Sequence, residues 1–266
     1  MAKTALLLAF TAALALAASA QVTEKTFTLG ASPHITVDNV NGPIHVVGDG
    51  GDQVRFTATE SNPDNATDVH LNVTPSSDGL ELYVDGPFRH DHHHWSNDED
   101  DRDNRVRFSF ELHVPSGAAL DLSTVNDGDI TVENIAGNFD VDNVNGPITL
   151  TGMSGAGRAY ALNRPLKVTF RSNPRGDSYF GSLNAPVDLY FQAPLNANLK
   201  YKTFNGSVYS DFEVTPATNT EPVSESRHGG AIVFRRGGFT NGRIGSGGPT
   251  ITLDGFNGNI YLRSEK

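Results

Sequence analysis

The chain has no cysteine, only two methionines and a single tryptophan in 266 residues. Without cysteine there is no disulfide, no thiolate metal site, no cysteine nucleophile and no lipid-carrying cysteine of the bacterial lipoprotein kind. Burial and backbone pairing alone must hold the fold. Cations are scarce as well: 20 Lys and Arg stand against 31 Asp and Glu, a formal charge of −11. Phosphate backbones are gripped by clustered Lys and Arg, so this balance excludes nucleic acid as a partner.

Long apolar runs are missing everywhere except at the start. Lys3 precedes the apolar run ALLLAFTAALALAA at 5–18, and Ala18-Ser19-Ala20 follows as a small-x-small cleavage site. This order predicts a signal peptide over 1–20, export to the periplasm or the exterior, and a mature chain starting at Gln21. Loss of Lys3 then takes the charge from −11 to −12. The run is shorter than the roughly 20 apolar residues that span a bilayer, and no later segment approaches that length, so no transmembrane anchor is expected in the mature chain. Apolar residues at helical spacing are also absent after the leader.

What is present instead is alternation. IHVV, VRFTAT, LELYV, VRFSFELHV, ITLT and VDLYF each alternate with period two between Gly, Asn and Pro, the pattern of short strands. One octapeptide, VDNVNGPI, occurs at Val37–Ile44 and again at Val141–Ile148. It belongs to a looser repeat whose corners are Asn41-Gly42, Asn126, Asn145-Gly146, Asn163, Asn184, Asn205-Gly206 and Asn257-Gly258. From Asn126 to Asn205 the steps are 19, 18, 21 and 21 residues, the regularity of a stacked repeat.

A turn at this spacing suits either an antiparallel meander or a solenoid. Proline decides between them. A two-residue Asn-Gly hairpin needs an N–H from the next residue, yet Pro43, Pro147, Pro165 and Pro186 stand there. The sequence therefore predicts an all-β, single-chain β-solenoid (β-helix-like) of about 18–21 residues per coil, with a less regular strand-rich N-terminal region. Parallel coils lie about 4.8 Å apart, so corner asparagines can form a hydrogen-bonded ladder. Ile44 and Val46, Ile130 and Val132, Ile148 and Leu150, and Leu166 and Val168 should point inward. The expected organisation is signal peptide 1–20, then 21–116 with a His/Asp-rich loop at 87–104, then repeats over 117–266 with a polar loop at 213–230. Residues 22–86 read equally as early coils or as a cap over the end of the stack.

The V-x-N-V-N-G-x-I strands and G-x-I-x-V coils, most evident at Val37–Val47 and Gly128–Leu150, resemble the bacterial putative-adhesin family. This resemblance implies an exported β-solenoid at the periplasm or cell surface. It implies no catalytic residue and no role for the histidine loop.

Several residue sets carry candidate chemistry. His90, Asp91, His92, His93 and His94 hold imidazole and carboxylate, the usual ligands of zinc, copper and nickel. A polar loop lacks an ordered outer shell, so weak divalent transition-metal affinity is the most it predicts, and no cofactor is required. Asp140 and Asp142 alternate with Phe139 and Val141 and should face outward. One coil on, Arg158 would stand beside Asp140 and Tyr160 beside Asp142; one coil back, Asp121 would stand beside Asp140. Such a column could seat calcium or a sugar. Paired carboxylates also admit the alternative of a carbohydrate-active β-helix enzyme, although no nucleophile, base and orienter recur together. Arg175-Gly176-Asp177 matches an integrin-recognised tripeptide, but a turn glycine accounts for it. Phe204, Phe256, Tyr201, Tyr209 and Tyr261 either pack the last coils or offer a sugar-gripping row. The function expected is that of a non-enzymatic adhesin or envelope-surface binding protein, whose partner is a glycan or another cell-surface ligand. The alternatives are the enzyme and metal binding by the His-rich loop, and the oligomeric state is left open.

Overall fold

Alternation in the sequence becomes alternation in burial. In the computed structural model, which describes residues 20–61, 68–86, 106–217, 225–228, 231–234 and 238–265, the strands Ile130–Glu133 and Leu166–Phe170 bury every second side chain. Residues 1–19, where the sequence predicts the signal peptide, and the histidine loop, with His90, Asp91, His92, His93 and His94, lie outside the described residues.

Among the described residues there is no helix. The first strands are β1 (Gln21–Thr28), β2 (His34–Asp38), β3 (Ile44–Asp49), β4 (Gln53–Ser61), β5 (His70–Pro75), β6 (Gly79–Asp85) and β7 (Arg107–Pro115). The regular run is β8 (Ala119–Thr124), β9 (Ile130–Glu133), β10 (Phe139–Asn143), β11 (Ile148–Met153), β12 (Gly157–Ala161), β13 (Leu166–Phe170), β14 (Ser178–Ser182), β15 (Val187–Phe191), β16 (Ala197–Thr203) and β17 (Val208–Ser210). The chain continues through β18 (Val214–Pro216), β19 (Glu225–His228), β20 (Ala231–Phe234), β21 (Thr240–Ile244), β22 (Thr250–Gly255) and β23 (Ile260–Ser264).

These strands build two large mixed sheets and one small antiparallel pair, β19-β20. The ten-stranded sheet runs β1-β4-β7-β3-β9-β11-β13-β15-β23-β17. The eleven-stranded sheet runs β18-β21-β16-β22-β14-β12-β10-β8-β2-β6-β5. From β7 to β17 in the first sheet, and from β6 to β16 in the second, every neighbouring pair is parallel. Antiparallel strands cover the ends: β1 and β4 at one, β5 beside them, β21 and β18 at the other. The N-terminal region thus contributes β2, β3, β6 and β7 to the parallel runs and β1, β4 and β5 to the antiparallel ends.

Each Asn corner carries the chain from one sheet to the other. Asn145-Gly146-Pro147 joins β10 of the eleven-stranded sheet to β11 of the ten-stranded sheet, so no N–H is demanded of the proline. Its carbonyl is used instead: Ile130 N–H donates to Pro147 O at 3.0 Å and Ile148 N–H to Pro165 O at 3.1 Å. Register then aligns like with like. Ile44, Ile130, Ile148, Leu166, Val187 and Ile260 form one inward row, and all are 0% exposed. Full burial of such a side chain is worth about 1.5–3 kcal/mol, and the rows merge into one core from Ile35 to Leu262.

Chain order and spatial order part at both ends. The sequence repeat reads as coils stacked in succession, but β22 lies between β14 and β16, and β23 between β15 and β17. Likewise β2 and β3 lie inside β6 and β7, next to β8 and β9. The regular segments β2-β3 and β22-β23 take the inner places, where both neighbours can pair with them. The short β17 and the antiparallel strands take the exposed edges, where a missing partner costs least.

Candidate functional site

Three surfaces follow from this register: a corner of asparagines and the outer face of each sheet. At the corner, Asn205 Nδ2 donates to Asn257 Oδ1 at 2.8 Å, Asn257 to Asn184 at 2.9 Å, Asn184 to Asn163 at 2.7 Å, Asn163 to Asn145 at 2.8 Å and Asn145 to Asn126 at 2.8 Å. Asn41 lies beside Asn126 but leaves the series, its Nδ2 reaching Val106 O at 3.4 Å. Two residues before the ladder runs an inner row that sequence reasoning missed. Buried Asn143 donates to Gly128 O at 3.0 Å and to Pro147 O at 3.3 Å, and accepts from Gly146 N–H at 2.9 Å. Asn39 holds a corner in the same manner two repeats earlier, donating to Gly42 O at 3.0 Å and Phe108 O at 2.9 Å. The signal was in the text all along: the repeated octapeptide carries both asparagines of D-N-V-N.

The outer face of the eleven-stranded sheet gathers the acidic candidates. Asp121, Asp140, Arg158 and Tyr179 stand side by side, as do Asp38, Ser123, Asp142 and Tyr160. Arg158 Nη1 lies 3.0 Å from Asp140 Oδ1 and makes a short contact with Asp142 Oδ2. Its guanidinium also sits 5.6 Å from the Tyr160 ring centre and 5.8 Å from that of Tyr179. Tyr179 Oη donates to Asp254 Oδ2 at 2.8 Å, and Lys202 Nζ pairs with the same oxygen at 3.1 Å. One network therefore crosses β10, β12, β14, β22 and β16. The face grades from carboxylates through tyrosines to lysines.

The protonation of the network follows from its neighbours. Burial alone would lower the Arg158 guanidinium, but hydrogen bonds to Asp142 and Asp140, then their charges, outweigh it and push it above its ordinary value. Tyr179 is raised by burial, then by its bond to Asp254. Asp121 is raised by burial, then by the charge of Asp140, with Asp142 and Asp38 adding and His34 opposing. Its surface stays exposed, yet the adjacent strands β2 and β10 take water from the carboxyl. A carboxyl raised on folding contributes stability below its ordinary value, 3.8, and loses it as pH rises through the folded value. Its charge therefore weakens the fold at neutral pH. Asp121→Asn is expected to raise Tm at neutral pH and to leave it unchanged at about pH 3; calorimetric scans across that range read the difference.

The remaining candidates scatter. Arg175, Gly176 and Asp177 line a shallow groove of about 530 Å³ with Asn138, Ser154 and Gly157, at the start of the strands that carry Asp140 and Arg158 but without either residue in its lining. Asp177 Oδ1 is taken by Thr250 N–H at 2.7 Å. Phe204 stacks on Phe256 at 4.9 Å and Tyr209 on Tyr261 at 5.1 Å, and Phe204, Tyr209 and Phe256 are exposed. Tyr201 is half-buried against the core. The opposite sheet carries Arg263 on Asp188 at 3.0 Å and over the Tyr261 ring at 4.6 Å.

Comparison with known proteins gives a likeness of fold. No family model matches the chain, and no curated protein does. A putative cell adhesion protein from Clostridium sporogenes is similar at TM-score 0.50 and 10% identity, over 93% of this chain and 100% of that one. A putative adhesin from Bacteroides fragilis is similar at TM-score 0.34 and 11% identity, over 93% and 99%. A putative lipid binding protein from Parabacteroides distasonis is similar at TM-score 0.30 and 8% identity, over 92% and 97%. Among the described residues no helix is long and apolar enough to cross a membrane.

Proposed function

We propose that the chain is an exported, non-enzymatic β-solenoid of the adhesin type, which binds a glycan at the cell envelope through the graded outer face of its eleven-stranded sheet. The observation that carries this reading is the in-register placement of Asp140, Asp142, Arg158, Tyr160, Tyr179 and Asp254 on four adjacent strands. Tyrosine rings offer an apolar platform to the face of a sugar, while carboxylates and a guanidinium beside them meet its hydroxyls. The face spans four adjacent strands, so several weak contacts along it can act together. The fold shared with the clostridial cell adhesion protein agrees with a surface role.

A glycan array probed with the purified chain tests this. Binding to a defined saccharide is expected. It should fall about tenfold on Tyr160→Ala or Tyr179→Ala, the loss of one aromatic contact of about 1.4 kcal/mol. Thr149→Ala on the other sheet should leave it unchanged. An array without binding refutes the reading, and release of reducing ends from a bound glycan transfers the face to the carbohydrate-active enzyme.

A further inference from the structure

The residue just before each ladder asparagine is apolar. In spatial order these are Val40, Val125, Val144, Leu162, Leu183, Phe256 and Phe204, and their backbones are joined without a gap. Asn126 N–H bonds to Val40 O, Asn145 to Val125, Asn163 to Val144, Asn184 to Leu162, Asn257 to Leu183 and Asn205 to Phe256. Six steps of about 4.8 Å make a ridge about 29 Å long. Val125 is 37% exposed, Phe256 44% and Phe204 69%, and the other four are half-buried. An unbroken apolar strip of this length on an acidic surface marks a contact site.

Two gradients run along it. Side-chain size rises from three valines through two leucines to two phenylalanines. On the adjoining face, the carboxylates Asp38, Asp121, Asp140 and Asp142 lie toward the valine end and Lys200 and Lys202 at the phenylalanine end, with Arg158 and Asp254 between them. A second copy turned end for end matches both at once. Val40 then meets Phe204, Val125 meets Phe256, Val144 meets Leu183, and Leu162 meets itself. The two-fold axis crosses the ridge at Leu162 and keeps both eleven-stranded sheets on one side, so each acidic end lies beside the partner's lysines, within about one Debye length. We propose that this ridge is the seam of an antiparallel homodimer. A lipid surface fits less well, because the exposed Asp127 and Asp129 beside the ridge outnumber the exposed Arg164, and an anionic bilayer repels that excess. The apolar strip is the centre of a small interface, with the asparagine and proline rows as its rim, and an affinity on the order of micromolar follows.

The absence of cysteine makes a direct test possible. Under mild oxidation Leu162→Cys is expected to cross-link to itself. Val40→Cys and Phe204→Cys should each stay uncross-linked alone and join only when mixed. Sedimentation of the cysteine-free protein should show a reversible dimer across about 1–100 μM, and Phe204→Glu, on an exposed side chain, should weaken it at least tenfold with Tm unchanged. A Leu162→Cys protein that remains monomeric overturns the proposal, as does Phe204→Cys joining to itself in preference to Val40→Cys. Flotation of a monomeric protein with phosphatidylethanolamine–phosphatidylglycerol vesicles, lost in Phe204→Glu, assigns the ridge to lipid and overturns it too. Glycan binding by a monomer would leave the proposed function standing while removing the seam, so the two fail separately.

Discussion

Gly146→Ala is expected to remove about 3–5 kcal/mol of folding stability, read as a fall in the urea midpoint with the slope unchanged. A Cβ at this position would stand 1.7 Å from the carbonyl oxygen of Gly128 and 2.7 Å from Asn143 Nδ2. Neither neighbour can swing aside: the first is backbone, and the second is the buried amide that holds the same corner by accepting Gly146 N–H at 2.9 Å. Relief requires neighbouring corners to separate, where the Asn145–Asn126 bond of 2.8 Å and Ile130 N–H to Pro147 O at 3.0 Å would both stretch. Gly50→Ala is the matched control. Nothing lies within 4 Å of its added Cβ and its φ is not in the left-handed region, so the change should stay within about 0.5 kcal/mol. Equal effects at the two positions would refute the close approach of neighbouring corners as the reason for the corner glycine.

Phe170→Ala should cost about 3–5 kcal/mol as well, for the opposite reason. Its ring is 0% exposed, stacks on Phe191 at 5.0 Å and 10°, and meets Phe180 edge-on at 6.0 Å and 77°. Phe170 and Phe191 belong to one sheet and Phe180 to the other, so the three rings fill the space between β13, β15 and β14. Truncation leaves a void with rigid walls, because both sheets are held by their own ladders. Phe170→Leu keeps most of the volume and should cost under about 1.5 kcal/mol. Thermal and urea unfolding of the two variants separate volume from aromatic contact. A Phe170→Ala penalty no larger than that of Phe170→Leu would show that the core collapses around the gap.

Much of this architecture could be read beforehand, and the reasons are local. Period-two runs gave the strands, because a pleated strand between core and water must alternate. Pro43, Pro147, Pro165 and Pro186 excluded tight reversals, because each removes the donor such a turn needs. The pairing of Asp140 with Arg158 and Asp142 with Tyr160 followed from counting one repeat, since a parallel register preserves sequence offset. Asn143 was overlooked although its spacing was visible: nothing in a sequence says which of two nearby asparagines turns inward. The extension of the network to Asp254 and Lys202 was out of reach, because both belong to strands whose place in the stack is not their place in the chain.

The chain's composition and repeat by themselves determined an all-β protein with corners at the asparagines, apolar rows inside and charges outside, since those properties depend on neighbours a few residues apart. Tertiary structure alone decided that β22-β23 lie inside β16-β17 and β2-β3 inside β6-β7. That choice compares the free energy of whole segments at an edge and in the interior, where paired backbone and doubly covered side chains are worth more. It sets the order Leu183, Phe256, Phe204 along the ridge and closes the network from Asp140 to Lys202. Both candidate surfaces are therefore products of a long-range exchange of places that local pattern does not encode.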